Sequence, residues 1–127
     1  MLARYSIQRG RKLGDYPKAI REGTRQDTRK HTRHVLRPEA DEVQRYLADP
    51  SAAAWKQFRD VYLDLLDARF THDRAPFDAI ADLARQGDVF LGCNCPTAAN
   101  PDVKRCHTTL ALRFMRERYR DLVVQLP

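Results

Sequence analysis

The chain has 127 residues, with 23 Lys+Arg against 17 Asp+Glu for a net charge of +6, and 43% of it is apolar with 5 Gly and 7 Pro. That composition excludes a collagen-like, fibrous or wholly disordered protein, and at this length folding buries roughly two thirds of the unfolded surface, enough for one core without a structural metal or disulfide. No apolar run approaches the ~18 residues that span a bilayer, and Met1 to Gly10 hold no uninterrupted apolar stretch of the signal-peptide kind, so the expectation is one cytoplasmic domain with no membrane contact.

In chain order, residues 2–8 alternate loosely and contain Tyr5 and Ile7, which predicts a short strand ending at Arg9-Gly10-Arg11-Lys12. Residues 9–37 read as a long basic loop. Gly14, Pro17 and Gly23 punctuate it, and the run from Thr24 to His34 has almost nothing to bury, as in a segment mobile until it meets a partner. Pro38, with Glu39, Asp41 and Glu42 after it, opens a short helix reaching about Leu47. Asp49-Pro50 repeats that signal, and Trp55, Phe58, Tyr62, Leu65, Leu66 and Arg69 then recur at helical spacing. A third helix is expected to start at Pro76, bury Phe77, Ile80, Leu83 and Ala84, and stop at Gly87 as a left-handed cap.

Val89 to Cys93 form a continuous apolar run, the mark of a strand covered on both faces. A helix from about Asp102 to Tyr119 follows, with Leu110, Ala111, Phe114, Met115 and Arg118 on one face, and residues 122–126 read as a last strand. Strand, helix, strand makes a C-terminal βαβ unit. The expected architecture is α/β, a small mainly parallel sheet built from 2–8, 89–93 and 122–126 and flanked by helices.

The charge is uneven. Residues 1–38 hold 11 Lys+Arg and 3 Asp+Glu, while residues 39–127 hold 12 and 14. Basicity in the first third points to an anionic small molecule or a nucleic acid as partner.

Cys93, Cys95 and Cys106 are an odd set of thiols in fourteen residues, a poor disulfide framework that fits a reducing compartment. Cys93 and Cys95 fall at the carboxyl end of a strand, and Cys106-His107 near the start of the next helix, two places that share one crevice in an open parallel sheet. A helix start offers free N–H groups that hold anions and lower the pKa of a nearby thiol. Three chemistries suit these residues. The first is an anionic ligand contacted by Cys95, Cys106 and His107, with Asn94 and Thr108 beside them, and approached over Arg9, Arg11, Lys12, Arg29 and Arg33. The second is thiol catalysis with Cys106 or Cys93 as nucleophile and His107 as base, although no Cys-x5-Arg loop of the phosphatase kind is present. The third is zinc, with Cys93, Cys95, Cys106 and His107 as soft ligands, against which stands the Cys-x-Cys rather than Cys-x2-Cys spacing. His31, His34 and His72 read as solvated loop residues. Trp55 and Phe58 could stack bases only if exposed, and their helical stripe assigns them to the core.

Trp55-x2-Phe58-x3-Tyr62-x2-Leu65, Leu83-Ala84, Gly87-Asp88-Val89-Phe90-Leu91-Gly92-Cys93 and Cys106-His107-Thr108-Thr109-Leu110-Ala111 together resemble the bacterial domain of unknown function 488 family over about residues 50–120. The resemblance implies a small α/β fold with no established reaction. Of the family's N-terminal stretch only Arg9-Gly10 is matched, and the Cys93-Asn94-Cys95-Pro96 segment departs from branches with fewer cysteines.

Overall fold

The centre of the molecule is the apolar run Val89–Cys93, strand β3, flanked on one side by β1 (Leu2–Ser6) and on the other by β2 (Thr24–Asp27) in an all-parallel sheet of order β1-β3-β2. The computed structural model describes residues 1–127. Helices α1 (Lys18–Glu22), α2 (Ala40–Ala48), α3 (Ala52–His72), α4 (Ala75–Gln86) and α5 (His107–Arg118) complete the fold. β3 is apolar throughout because both of its faces are covered: Val89 and Leu91 join the core formed with α3, α4 and α5, and Phe90, on the alternate face, packs against Gly23 at the end of α1. Register pairs Leu2 with Val89 and Ser6 with Cys93 on one side, and Thr24 with Val89 and Asp27 with Gly92 on the other.

The helices form where the apolar spacing requires them. Ser51 caps α3 by accepting from the Ala54 N–H at 3.0 Å, and Phe58, Tyr62 and Leu66 of that helix are buried in one stripe. Helix α2 begins at Ala40, two residues beyond Pro38, and α5 begins at His107 after a single 3-10 turn at Val103–Arg105. In α4 the buried stripe is Phe77, Ile80, Ala81 and Ala84. Leu83, expected inside, is 39% exposed, because the i, i+3, i+4, i+7 ridge facing the sheet leaves it on the flank. Gly87 ends α4 in an extended conformation at φ −175°, not as a left-handed cap.

Two further expectations are corrected. Residues 122–126 do not form a strand: Val124 makes one isolated parallel bridge to Leu2, with the Leu2 N–H donating to the Val123 carbonyl and the Gln125 N–H to the Leu2 carbonyl. The tail crosses β1 at its first residue, so the ladder has no second rung, although Leu122 is buried and Val124 and Leu126 pack on the core. The third strand lies instead inside the supposed loop 9–37, which contains α1 and β2 and buries Thr28 and Leu36 fully. β2 reads Thr-Arg-Gln-Asp, a half-exposed edge strand held by main-chain pairing to β3, and such a strand leaves no apolar signature.

Candidate functional site

All three thiols stand at the carboxyl end of the sheet, as parallel topology requires. Cys93 is the last residue of β3, Cys95 lies two residues beyond it, and Cys106 is the residue capping the start of α5. Their sulfurs lie within 4.8 Å of one another, with Cys93 and Cys95 at 4.0 Å, and none is in a disulfide.

Each sulfur is held by named neighbours. The Arg4 Nε donates to Thr108 Oγ1 at 3.0 Å, so the threonine hydroxyl turns its own proton to Cys106 Sγ at 3.2 Å. Asn100 Nδ2 donates to Cys95 Sγ at 3.2 Å and to the Arg105 carbonyl at 2.9 Å, fixing the loop between the two cysteines. A second donor of Arg4 holds the Cys95 carbonyl at 2.6 Å. Hydrogen bonds from Cys93 and Cys95 hold the Cys106 thiol well below its ordinary value against the opposing effect of burial. The same sharing pushes the Cys93 and Cys95 thiols up. A single negative charge in this cluster therefore resides first on Cys106, beside the N–H groups of the α5 start.

His107 is placed by Thr28. The Thr28 hydroxyl donates to the Gly92 carbonyl at 3.0 Å, and its main-chain carbonyl can only accept. His107 Nε2, 2.9 Å from that hydroxyl and 3.0 Å from that carbonyl, is therefore the donor to both. In the neutral ring this leaves Nδ1 bare and turned to Cys106 Sγ at 3.9 Å. His107 stands outside the group of three sulfurs, so the four-ligand zinc set read from the sequence reduces to three thiols.

These residues form the floor of a crevice of about 200 Å³. It is lined by Val43, Tyr46 and Leu47 of α2 and Trp55 and Phe58 of α3, and by Arg29, Lys30, His31, Asn94, Thr97 and Arg105 from outside those helices. Trp55 and Phe58 stack at 5.5 Å between centroids and 20° between planes. Both serve the core and the crevice at once, which a stripe in the sequence cannot distinguish. No carboxylate lines the space. Asp27 stands behind it, clasped by Arg29 through two bonds of 2.9 and 2.8 Å that hold its carboxyl below the usual range.

Of the basic residues expected to approach the ligand, Arg29 alone reaches the crevice, with a third donor on Asn94 Oδ1 at 3.1 Å. Arg11 lies over the Tyr16 ring at 4.2 Å, and Arg9, Lys12 and Arg33 are outside the lining. Thr108 is buried behind Cys106 and acts on its sulfur instead of facing a ligand. Sequence reading missed Lys30, Arg105, Asn100 and Arg4 and set aside His31. For Arg105 a signal existed in its position immediately before Cys106, whereas Arg4 is brought in only by β1 pairing with β3.

No protein-family model, curated protein or solved structure matches this chain.

Proposed function

We propose that the protein binds an anionic ligand carrying a flat apolar part, of the nucleotide kind, in the crevice at the carboxyl end of its sheet. The observation that carries this reading is that one crevice is lined both by the mutually packed aromatic residues Tyr46, Trp55 and Phe58 and by Arg29, Lys30, His31 and Arg105, with no carboxylate among the lining residues. A base or similar ring lies against the first, and a phosphate or carboxylate meets the second. Arg29 is occupied by Asp27, so Arg105 and Lys30 are the cations left to meet the ligand. Binding is preferred to nucleophilic catalysis because Cys106, whose sulfur carries charge most readily, is only 3% exposed at the bottom of the site.

Trp55 is the sole tryptophan of the chain, so its fluorescence reports on this crevice alone. Titration with adenosine monophosphate at low salt is expected to change that emission saturably, and to weaken as salt rises. Adenosine or inorganic phosphate alone is expected to bind at least about tenfold more weakly, each losing one of the two kinds of contact. Arg105→Gln is expected to weaken adenosine monophosphate by about 10-fold, the value of one charge-assisted hydrogen bond. An emission that stays flat into the millimolar range, or an Arg105→Gln variant that binds like the parent, contradicts the reading.

A further inference from the structure

We propose that Cys93, Cys95 and Cys106 together bind one zinc ion as a three-thiolate site, its fourth coordination position turned into the crevice. In a tetrahedral centre with Zn–S bonds of about 2.3 Å the sulfurs lie about 3.8 Å apart. The three sulfurs already lie within 4.8 Å of one another, the closest pair at 4.0 Å. The scaffold is rigid on two sides, since Cys93 ends the central strand and Cys106 caps a twelve-residue helix.

The surroundings are those of charged sulfur. Thr108 Oγ1 and Asn100 Nδ2 each give a hydrogen bond to a cysteine sulfur, a contact weak for a neutral thiol and strong for a thiolate bound to metal. Zinc with three thiolates carries a net charge of −1; Arg4 of β1 donates to the Cys95 carbonyl and Arg105 directly precedes Cys106, while no carboxylate lines the space. The donor set is all sulfur, which selects a soft or borderline ion and rejects calcium and magnesium. Binding forms three Zn–S bonds and sends to water the protons still carried by the sulfurs, those of Cys93 and Cys95 together with that of Cys106 wherever it is not already a thiolate, with no change of oxidation state. The site stands apart from the anion reading except at the open position, where an anionic group of the ligand completes the coordination.

The test uses the full chain, reduced and stripped with a chelator, titrated with Co²⁺ and then Zn²⁺. A thiolate-to-cobalt charge-transfer band and a tetrahedral d–d spectrum are expected, saturating at one ion per chain and displaced by zinc. Cys93→Ser, Cys95→Ser and Cys106→Ser are each expected to abolish the tetrahedral spectrum, and Asn100→Ala to weaken cobalt roughly 10-fold through loss of an outer hydrogen bond. Thermal melts of the variants separate lost ligation from lost folding, and Cys95→Ser, at the least buried thiol position of the loop, is the variant least able to disturb the core. Octahedral cobalt only, a stoichiometry other than one, or an unchanged spectrum in the Cys106→Ser variant overturns the site. So does loss of the band in a His107→Gln variant whose melt is unchanged. Adenosine monophosphate added to the stripped chain keeps the two readings apart: a Trp55 response without a cobalt band removes the metal and leaves the crevice ligand. A cobalt band without any Trp55 response removes the ligand and leaves the metal.

Discussion

His34 sits in the turn after β2 with both ring nitrogens engaged, Nε2 at 2.7 Å from Gln26 Oε1 and Nδ1 accepting from the Leu36 N–H at 3.0 Å. Accepting at Nδ1 requires the neutral ring, and burial, followed by the neighbouring His107, pushes the imidazole down to about 4. The unfolded chain takes up this proton near pH 6.5 and the folded chain only near 4. Between those values the unfolded state binds more protons, so stability is full above pH 6.5 and is lost as pH falls through the window. Each unit corresponds to about 1.4 kcal/mol, and partial exposure of the ring reduces the total to roughly 2 kcal/mol. Urea midpoints measured across that window are expected to fall on acidification in the parent and to fall by much less in His34→Gln; equal slopes in the two would remove this role. The sequence reading that took His34 for a solvated loop residue failed because its partners, Gln26 on the polar edge strand β2 and the Leu36 N–H in the turn after it, carry no apolar code. The thiols and His107 were legible for the opposite reason. A strand end and a helix start are both visible in hydropathy, and parallel topology makes them converge.

At the scale of elements, the long helices and β3 follow from apolar spacing, and β2 does not, because an edge strand of polar residues is specified by what its backbone pairs with. Its seat depends on Gly23, the residue between α1 and β2. A Cβ there would lie 2.5 Å from Phe90 Cε2 and 3.0 Å from the Ala19 carbonyl oxygen, so the ring of the central strand packs directly against the glycine backbone. Gly23→Ala is expected to cost about 1–3 kcal/mol by overpacking. Gly14→Ala, where an added Cβ meets nothing within 4 Å, is the control and is expected to stay within about 0.5 kcal/mol. In the double variant Gly23→Ala/Phe90→Leu part of the loss is expected to return, which a double-mutant cycle by chemical denaturation would read as coupling. Additive losses would show that the contact does not hold the strand. The single bridge at Val124 illustrates the same limit from the other side, since Leu122 to Leu126 have the apolar content of a strand but meet β1 at one residue.

At the scale of the whole molecule, the basic excess of residues 1–38 is not one surface. Arg25 donates to the carbonyls of Ile20, Arg21 and Gly23, Arg11 binds Gln8 and the Asp15 carbonyl, and Arg29 clasps Asp27. Much of the charge thus closes local turns, and of the basic side chains of that segment only Arg29, Lys30 and His31 reach the crevice, where Arg105 from the near-neutral remainder joins them. A ligand that binds only the folded chain raises its stability by about 1.4 kcal/mol at ten times its Kd, which for a domain of this size is a rise in Tm of about 5 °C. Adenosine monophosphate is therefore expected to raise the Tm above that in sodium chloride of equal ionic strength, a comparison that removes general screening. The double variant Lys30→Gln/Arg105→Gln is expected to lose the rise. The triple variant Arg9→Gln/Arg11→Gln/Lys12→Gln removes more positive charge but none from the crevice, and is expected to keep it. Equal loss in both variants would mean that net charge, and not the cations lining the crevice with Trp55, governs what the molecule binds.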